Sequence, residues 1–258
     1  MARLSLEGIR ITDFTWAWAG PYATMLLAFM GAEVIKIESS KRPDHARMRS
    51  LASGPSDKGF DQSGVFNDLN LNKMSITLDL TQPKAVALAK RLVGISDVVA
   101  ENFRPGVMDK LGLGYNVLKE VKPDIIMLSS SAMGAVGPER HYTGFAPTFA
   151  AHGGLAHLTG YPNARPISLM GSSDLRSAAT SAFAILTAIY YRAQTGQGQH
   201  IDLSSTETIA VLIGDALLDY IMNNRVPLRK GNRDEIMAPH NCYPCQGEDN
   251  WVSIAIAT

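Results

Sequence analysis

Short apolar runs rich in β-branched residues alternate along this chain with longer segments of helical character. The strand-like runs are GIRITDF, EVIKIE, SITLDL, DVVAEN, IIMLSSS and HIDLS, and helix-like segments such as GPYATMLLAFMGA, Pro83 to Leu92 and Glu207 to Tyr220 lie among them. Such runs, bounded by glycine, proline or polar residues, predict buried strands. Because parallel strands need crossover connections, the alternation predicts an α/β fold with a mostly parallel sheet and helices on both faces.

The loops after the predicted strands are where a ligand would bind. They read TWAWAGP, TQP, FRPG and SSAMGAVGP, and ligands of open parallel sheets collect where carboxyl ends of strands meet helix N-termini. No G-x-G-x-x-G follows the first strand, and no G-x-x-x-x-G-K-[ST] occurs in the chain. The sequence therefore predicts a ligand site at this edge of the sheet and argues against a dinucleotide-dependent or P-loop enzyme.

Charge and length narrow the class of partner. The 258 residues include 24 Lys plus Arg and 24 Asp plus Glu, so the formal net charge is zero. A nucleic-acid-binding surface normally brings a basic excess, so we expect a small molecule or another protein, and no nucleic acid. The longest apolar runs fall short of the roughly 18 residues that suggest a membrane span. MARLSLEGIR lacks an apolar signal region, so we expect no membrane partner and a cytoplasmic location.

The two cysteines, Cys242 and Cys245, are spaced C-x-x-C in HNCYPCQG. Zinc needs two further ligands, and the chain has no second cysteine pair. A thioredoxin-like pair should open a helix, whereas a turn follows here. We therefore predict neither a metal nor a redox role, and interpret both residues as ordinary buried thiols.

One acidic residue, Asp174, stands ahead of a long run of small and apolar side chains in MGSSDLRSAATSAFAILTAIYY. Apolar residues recur there at three- and four-residue steps, which predicts a helix with one buried face, formed by Leu175, Ala178, Ala179, Ala182, Phe183, Leu186 and Ile189. Asp174 then falls at or near the N-cap, where aspartate is a common capping residue. From spacing alone a structural cap is the simpler interpretation, and a functional carboxylate is the alternative.

Six motifs in this order resemble the class III CoA-transferases, the CaiB/BaiF-type family that includes formyl-CoA and carnitine CoA-transferases. They are WAGPYATMLLAFMGAEVIKIE, LNLNKMSITLDL, AENFRPGVMDKLGLGY, SSSAMGAVGP, the segment around Asp174, and YRAQTGQGQHIDLSSTE. The resemblance covers nearly the whole chain. It implies a Rossmann-like sheet, an interlocked dimer when full length, and transfer of CoA from an acyl-CoA donor to a free carboxylic acid.

The resemblance also implies the residues of the site. Asp174 would be the nucleophile, kept ionised by a helix N-terminus, and would form aspartyl anhydride and aspartyl-CoA thioester intermediates. Coenzyme A, as substrate, would be held by Ala17, Trp18, Leu78, Asp79, Leu80, Thr81, Asn102, Phe103, Arg104 and Lys110. No metal is expected. The family often has a basic residue where this chain has Ser39, and Lys41 or Arg42 is the expected substitute.

Two other functions stay open. The α-methylacyl-CoA racemases share the fold but use a histidine where this chain has TGFAP, Thr143 to Pro147, so one of two acid/base groups is missing. A non-catalytic subunit of a heteromeric transferase should lack the aspartate that is present here. Trp16 and Trp18 favour an acceptor acid with an apolar body, or else only pack in the core. We expect a homodimer, with a heteromer as the alternative.

The division into domains follows from the same resemblance. Residues 1–225 would form the large CoA-binding domain, and residues 226–258 a linker and the start of a smaller domain. The family's smaller domain continues further and returns to the large one, so we expect these 258 residues to be a fragment. The strand-like WVSIAIA would then carry an unpaired apolar edge.

Overall fold

The computed structural model describes residues 3–50, 54–55, 61–167 and 171–257. Ten strands are present in these ranges: β1 Arg10–Asp13, β2 Glu33–Glu38, β3 Arg49–Ser50, β4 Gly54–Pro55, β5 Met74–Thr77, β6 Val98–Glu101, β7 Ile126–Ser131, β8 His200–Ser204, β9 His240–Pro244 and β10 Trp251–Ala255. The helices are α1 Ala19–Phe29, α2 Gly64–Leu69, α3 Pro83–Gly94, α4 Val107–Lys110, α5 Tyr115–Val121, α6 Ala146–His152, α7 Leu155–Leu158, α8 Ser172–Thr195, α9 Ser205–Ala210 and α10 Gly214–Asn223. Two 3₁₀ turns cover His45–Met48 and Val211–Ile213.

Six strands form one sheet in the order β5-β2-β1-β6-β7-β8, and every neighbouring pair in it is parallel. Counted along the chain, this is the order 3-2-1-4-5-6 of the Rossmann fold. The prediction of an α/β fold with a mostly parallel sheet is confirmed. The order reverses between β1 and β6, so the chain leaves these two neighbouring strands in opposite directions and opens a crevice at their carboxyl ends.

The sheet is covered on both faces, and its strands alternate side chains between two cores. On one face α1 and α8 pack over Ile11, Val98 and Ile126. On the other face α3, α4 and α5 pack over Val99 and Met127. Strands buried on both faces are expected to be continuously apolar, which is why these segments are recognisable in the sequence.

Two details of the predicted helices are wrong. The segment Glu207 to Tyr220 is not one helix: α9 and α10 are separated by the 3₁₀ turn that ends before Gly214. Glycine is a weak helix former, and a tightened turn there lets the chain change direction. In α8 the buried face is formed partly by serines, whereas Phe183 is 70% exposed. One of these serines, Ser177, lies against α9, with its hydroxyl 3.2 Å from that of Thr208, and the periodicity of large residues does not reveal such a contact.

The interpretation of the cysteines as buried is also wrong, because Cys242 and Cys245 are both exposed. They belong to the antiparallel hairpin of β9 and β10, which forms a two-stranded sheet separate from the main one. No second layer covers this hairpin in the part of the chain that the structure describes, and Trp251 is 61% exposed. The β10 strand is thus paired on one side by β9.

Membrane-spanning helices and metal-binding clusters are both absent from the described ranges. No helix there is both long and apolar enough to cross a membrane. No group of three or more His, Cys, Asp or Glu side chains in those ranges is arranged to hold a metal ion. The expectation that the protein needs no metal stays a prediction.

Candidate active site at the carboxyl edge of the sheet

The loop after β1, residues 14–18, lies at the switch point and is fixed by the loop after β6. The Asn102 side chain accepts a hydrogen bond from the Trp16 backbone N–H at 2.7 Å and donates one to the Trp16 carbonyl at 2.8 Å. The Trp16 ring meets the Phe103 ring edge to face, with centroids 5.5 Å apart. The structure therefore brings two of the predicted CoA-binding residues, Asn102 and Phe103, onto the loop that carries two others, Ala17 and Trp18.

A second set of contacts to the same loop comes from β2 and from the segment that follows it. Asp44 is fully buried and accepts a hydrogen bond from the Ala17 N–H at 3.0 Å. The Lys36 ammonium, 1% exposed, donates to the Thr15 carbonyl at 2.6 Å and to Asp44 at 3.2 Å. The backbone of the loop is thus bonded to side chains from two separate elements.

Beneath the loop lies another buried ion pair. Lys73 Nζ is 3.1 Å from Asp13 Oδ2, and both side chains are nearly inaccessible to solvent. Burial opposes ionisation of Asp13, but Lys73, Lys36 and hydrogen bonds from Thr15 and Thr24 together hold its pKa below the ordinary value. Burial lowers the pKa of Lys73 to about 8. Both groups are therefore charged at neutral pH, and the pair anchors the end of β1.

Trp18 connects this loop to the helix that carries Asp174. Trp18 is the N-cap of α1, and its ring lies against Gly171: a Cβ built on Gly171 would be 3.8 Å from Trp18 Cζ2. Gly171 is the N-cap of α8 and has a φ of 89°, a conformation that favours glycine. Asp174 follows in the first turn of α8. The predicted nucleophile and the predicted CoA loop therefore border one another.

Asp174 is not the N-cap residue, and its environment differs from the one expected. It is half-buried, and burial raises its pKa to about 6. We expected the helix N-terminus to favour the charged form, but desolvation is the larger effect here. Within the described ranges no group donates a hydrogen bond to this carboxylate and no cation forms an ion pair with it. A desolvated, unpartnered carboxylate that is still mostly ionised at pH 7 is suited to nucleophilic attack.

The predicted residues 78–81 follow the edge strand β5. Leu78 and Leu80 pack on the same core as Phe103, on the face of the sheet that α3, α4 and α5 cover. Asp79 is engaged on the surface, where Lys41 donates to it at 2.8 Å and the Thr81 hydroxyl at 2.7 Å. Hydrogen bonds from Lys41 and Thr81 lower the pKa of Asp79 to about 2.

Arg104 and Lys110 are exposed, and within the described ranges neither forms an ion pair. Arg104 follows Phe103 at the crevice, whereas no contact joins Lys110, at the end of α4, to the other predicted residues described. Arg42 lies over the Trp16 ring at 5.8 Å, so it stands nearer the crevice than Lys41, which is paired with Asp79. The guanidinium groups of Arg42 and Arg104 are suited to bind phosphate.

A cavity of about 250 Å³ opens beside Phe103 on the other face of the sheet. Glu101, Ser129 and Asp202 stand in register across β6, β7 and β8. Burial raises the pKa of Glu101 to about 7, although Ser129 and the Phe103 N–H donate hydrogen bonds to it. With Asp109 also on its wall, the cavity is acidic. These acidic side chains would repel the phosphates of CoA. The cavity is therefore not a candidate for the CoA-binding site, unlike the crevice at the loop after β1.

Sequence reasoning missed the buried charges that hold the site. Lys36 lies between two isoleucines in EVIKIE, and a lysine inside a strand buried on both faces must have a buried partner. That signal could have identified Lys36 as structural. It could not have identified Asp44 or Asp13 as the neighbours, because these contacts depend on the tertiary fold.

Comparison with known proteins agrees with this geometry. Residues 6–258 match CoA-transferase family III. The chain is 36% identical over 259 residues to the succinyl-CoA–L-malate CoA-transferase alpha subunit of Chloroflexus aurantiacus, covering 99% of this chain and 59% of that protein. It is 36% identical over 242 residues to the acetyl-CoA:oxalate CoA-transferase of Acetobacter aceti, covering 93% and 61%.

A solved structure agrees as well. The chain superposes on the crystal structure of a CAIB/BAIF family protein from Brucella suis with a TM-score of 0.89 at 30% identity, covering 99% of this chain and 67% of that one. The chain spans about three-fifths of the length of the two curated relatives. A family match over nearly the whole chain, together with a Rossmann-type sheet, shows that this chain belongs to CoA-transferase family III.

Proposed function

We propose that this chain belongs to a CoA-transferase that moves CoA from an acyl-CoA to a free carboxylic acid, with Asp174 as the nucleophile. The observation that carries the proposal is the carboxylate of Asp174 itself. It is half-buried, has no partner among the described residues, and stands in the first turn of α8 beside the predicted CoA loop. A residue that served only as a cap would be expected to accept a backbone hydrogen bond. Asp174, in the first turn of α8, accepts none within the described ranges.

The proposed reaction proceeds through four acyl transfers at this carboxylate. An Asp174 oxygen attacks the thioester carbonyl, a C–O bond forms, the C–S bond breaks, and CoA leaves as thiolate. The thiolate attacks the aspartyl carbonyl, which gives the aspartyl-CoA thioester and releases the donor acid. The acceptor carboxylate then attacks this thioester and forms a second anhydride, and the returning thiolate takes the acceptor acyl group. Asp174 is regenerated, and no proton or electron is consumed.

Each step passes through an oxyanion that needs N–H donors. The first hydrogen bond of α8 runs from the Leu175 N–H to the Gly171 carbonyl at 2.8 Å. The N–H groups of Ser173 and Asp174, which precede Leu175, have no partner within the helix. We infer that the first turn of α8 supplies donors to the oxyanion, since Gly171 carries no side chain at the start of the helix and helix N-termini stabilise negative charge.

For coenzyme A we propose the residues that the family resemblance implied. Ala17, Trp18, Asn102 and Phe103 meet in the crevice, with Arg104 at its rim. Residues 78–81 and Lys110 belong to the same proposal. We also propose residues 1–225 as the CoA-binding unit and residues 226–258 as part of a second unit. A cytoplasmic homodimer stays a prediction, and the relatives include subunits of a heteromeric enzyme.

The relatives and the tryptophans of this chain point to different acceptor acids. The named relatives act on malate and oxalate, whereas Trp16 and Trp18 favour an acid with an apolar body. A panel of dicarboxylic, branched aliphatic and aromatic acids, assayed with succinyl-CoA as donor, would decide between them. Better turnover of oxalate or malate than of any apolar acid would contradict the apolar acceptor.

The nucleophile can be tested directly by trapping. Hydroxylamine added with acyl-CoA should convert the aspartyl thioester into a hydroxamate on Asp174, located by peptide mass spectrometry. The Asp174→Ser variant should fold but lose transfer by several orders of magnitude. Asp215 offers a matched control, since it also lies in the first turn of a helix, α10; Asp215→Ser should transfer CoA normally. A label on another carboxylate, or normal turnover by Asp174→Ser, would refute the assignment.

A racemase is the second candidate function, and the described site gives it less support. His152 meets Tyr142 edge to face and forms no hydrogen bond or ion pair within the described ranges. Solvent deuterium at the α-carbon of a branched acyl-CoA would reveal racemase chemistry. Exchange that persists in the Asp174→Ser variant would favour the racemase over the transferase.

A further inference from the structure

We propose that Asp44 is a positioning residue of this site: it holds the loop of residues 15–18 in the backbone conformation that sets the Trp18 ring against the N-terminus of α8. The anchoring of the loop follows from contacts within the chain. Its consequence for CoA transfer rests on the proposed function.

The strained point of the loop is Ala17. Its φ is 68°, in the left-handed region where an L-residue's Cβ crowds the following carbonyl. The other non-glycine residues with positive φ in the described ranges are Asn72, Asn224 and Asp249. Asparagine and aspartate tolerate this region through local hydrogen bonds, and alanine has no such means. Something outside Ala17 must therefore hold it there.

Asp44 supplies that restraint. One carboxylate oxygen accepts the Ala17 N–H at 3.0 Å and the Ala46 N–H at 2.9 Å. The other accepts the Lys36 ammonium at 3.2 Å. Lys36 in turn donates to the Thr15 carbonyl at 2.6 Å. Asp44 and its counter-ion Lys36 therefore bind the loop at two peptide groups.

The chemistry of this position requires a carboxylate. All three partners of Asp44 are donors, and asparagine would turn an NH₂ group toward one of them. Because Asp44 and Lys36 are both buried, no water is at hand to take over the lost bond. An Asp44→Asn variant should therefore release either the Ala17 N–H or the Lys36 ammonium.

Release of the Ala17 N–H would change the surroundings of Asp174. The residue after Ala17 is Trp18, whose ring borders Gly171, and Gly171 begins the helix that carries Asp174. If Ala17 relaxes to negative φ, the direction of the chain into Trp18 changes and this wall of the site moves. A misplacement of about 1 Å at a reacting centre can cost about 100-fold in rate.

The test compares Asp44→Asn with Asp44→Asn/Ala17→Gly. Glycine adopts positive φ at little cost, so the double variant should recover much of the roughly 100-fold kcat that the single variant loses. A purely structural role for Asp44 predicts no such rescue. Asp61→Asn is the matched control, because Asp61 is an exposed carboxylate paired with Arg47 on the neighbouring loop and should behave as wild type.

Amide hydrogen exchange provides a readout that does not depend on activity. The peptide containing residues 15–18 should exchange faster in Asp44→Asn than in wild type or Asp61→Asn. Should Asp44→Asn fail to fold, Ala17→Val keeps the buried ion pair and should produce the same faster exchange, since a β-branched residue resists positive φ. Unchanged exchange, or no rescue by Ala17→Gly, would overturn the proposal. Faster exchange in a protein whose wild type transfers no CoA would refute the proposed function and leave the anchoring supported.

Discussion

The two faces of the sheet carry buried carboxylates at the same edge. On one face these carboxylates are paired with lysines, and on the other, within the described ranges, they are not. On the face of α1 and α8, Asp13 and Asp44 are each paired with a lysine, Lys73 and Lys36. On the face of α3 to α5, Glu101 is buried and stands in line with Asp202, two strands away, and no cation forms an ion pair with either in the described ranges.

The pKa values follow this difference. Burial alone would raise the pKa of each carboxyl group, as it does for Glu101, to about 7, and for Asp174, to about 6. Nearby lysines reverse the effect at Asp13, whose pKa is lowered. Asp13 therefore stays charged and anchors the end of β1, whereas Glu101 and Asp174 can change protonation near neutral pH.

The largest expected effect comes from breaking a pair on the lysine-balanced face. Lys73→Met would leave Asp13 buried without its nearest cation, and we expect a loss of about 3–5 kcal/mol in the free energy of unfolding. Urea denaturation would measure it. Lys73→Met/Asp13→Asn removes both charges and should recover part of the loss. A loss in the double variant as large as in the single one would contradict the charge argument.

The opposite result is expected on the other face, where removing the charge of Glu101 should stabilise the folded protein. Glu101 holds its proton more tightly in the folded protein, so the stability it contributes is present at acid pH and is lost as pH rises from about 4.5 through about 7. Glu101→Gln imitates the protonated form and should exceed wild type by up to about 3 kcal/mol at pH 8, with little difference near pH 4.5. Urea unfolding at both pH values tests this, and a gain independent of pH would disprove it.

A smaller effect concerns the activity carried by Asp174. If its carboxylate is the nucleophile, kcat/KM should fall about tenfold per unit of pH below about 6, because only the ionised form attacks. The measurement needs an acceptor acid that stays ionised over the range. A midpoint near the ordinary aspartate value of about 4 would show that Asp174 is not desolvated in the free enzyme.

The smallest effect is expected at an exposed pair. Lys41 and Asp79 are 2.8 Å apart, but the Lys41 side chain is 73% exposed. Such pairs contribute little to stability because solvent screens them. Lys41→Met should leave the urea midpoint unchanged within error, in contrast to the same substitution at Lys73. A loss of similar size at both sites would show that burial does not decide how much such an ion pair contributes to stability.

The sequence predicted the main architecture because strands and helices encode their own periodicity. Val98 to Ala100 alternate between the two cores, and a strand buried on both faces is recognisable without knowing its neighbours. The same holds for α8: the sequence predicts Asp174 at or near its N-cap, and the N-cap is Gly171, three residues earlier. Phe183, the break before Gly214 and the exposed cysteines were not predictable, because each depends on which surfaces another element covers.

What the sequence by itself determined is therefore local geometry, the alternation of elements, and a set of motifs specific enough to indicate the family. It also located Asp174 at the start of a helix, since capping and apolar spacing act over a few residues. Only the tertiary structure decided which charges are neighbours. Asp13 stands opposite Lys36 because β1 pairs with β2, and Glu101 stands in line with Asp202 because β7 lies between β6 and β8. Electrostatic energy depends on distance and burial in three dimensions, and the spacing of residues along a chain contains neither.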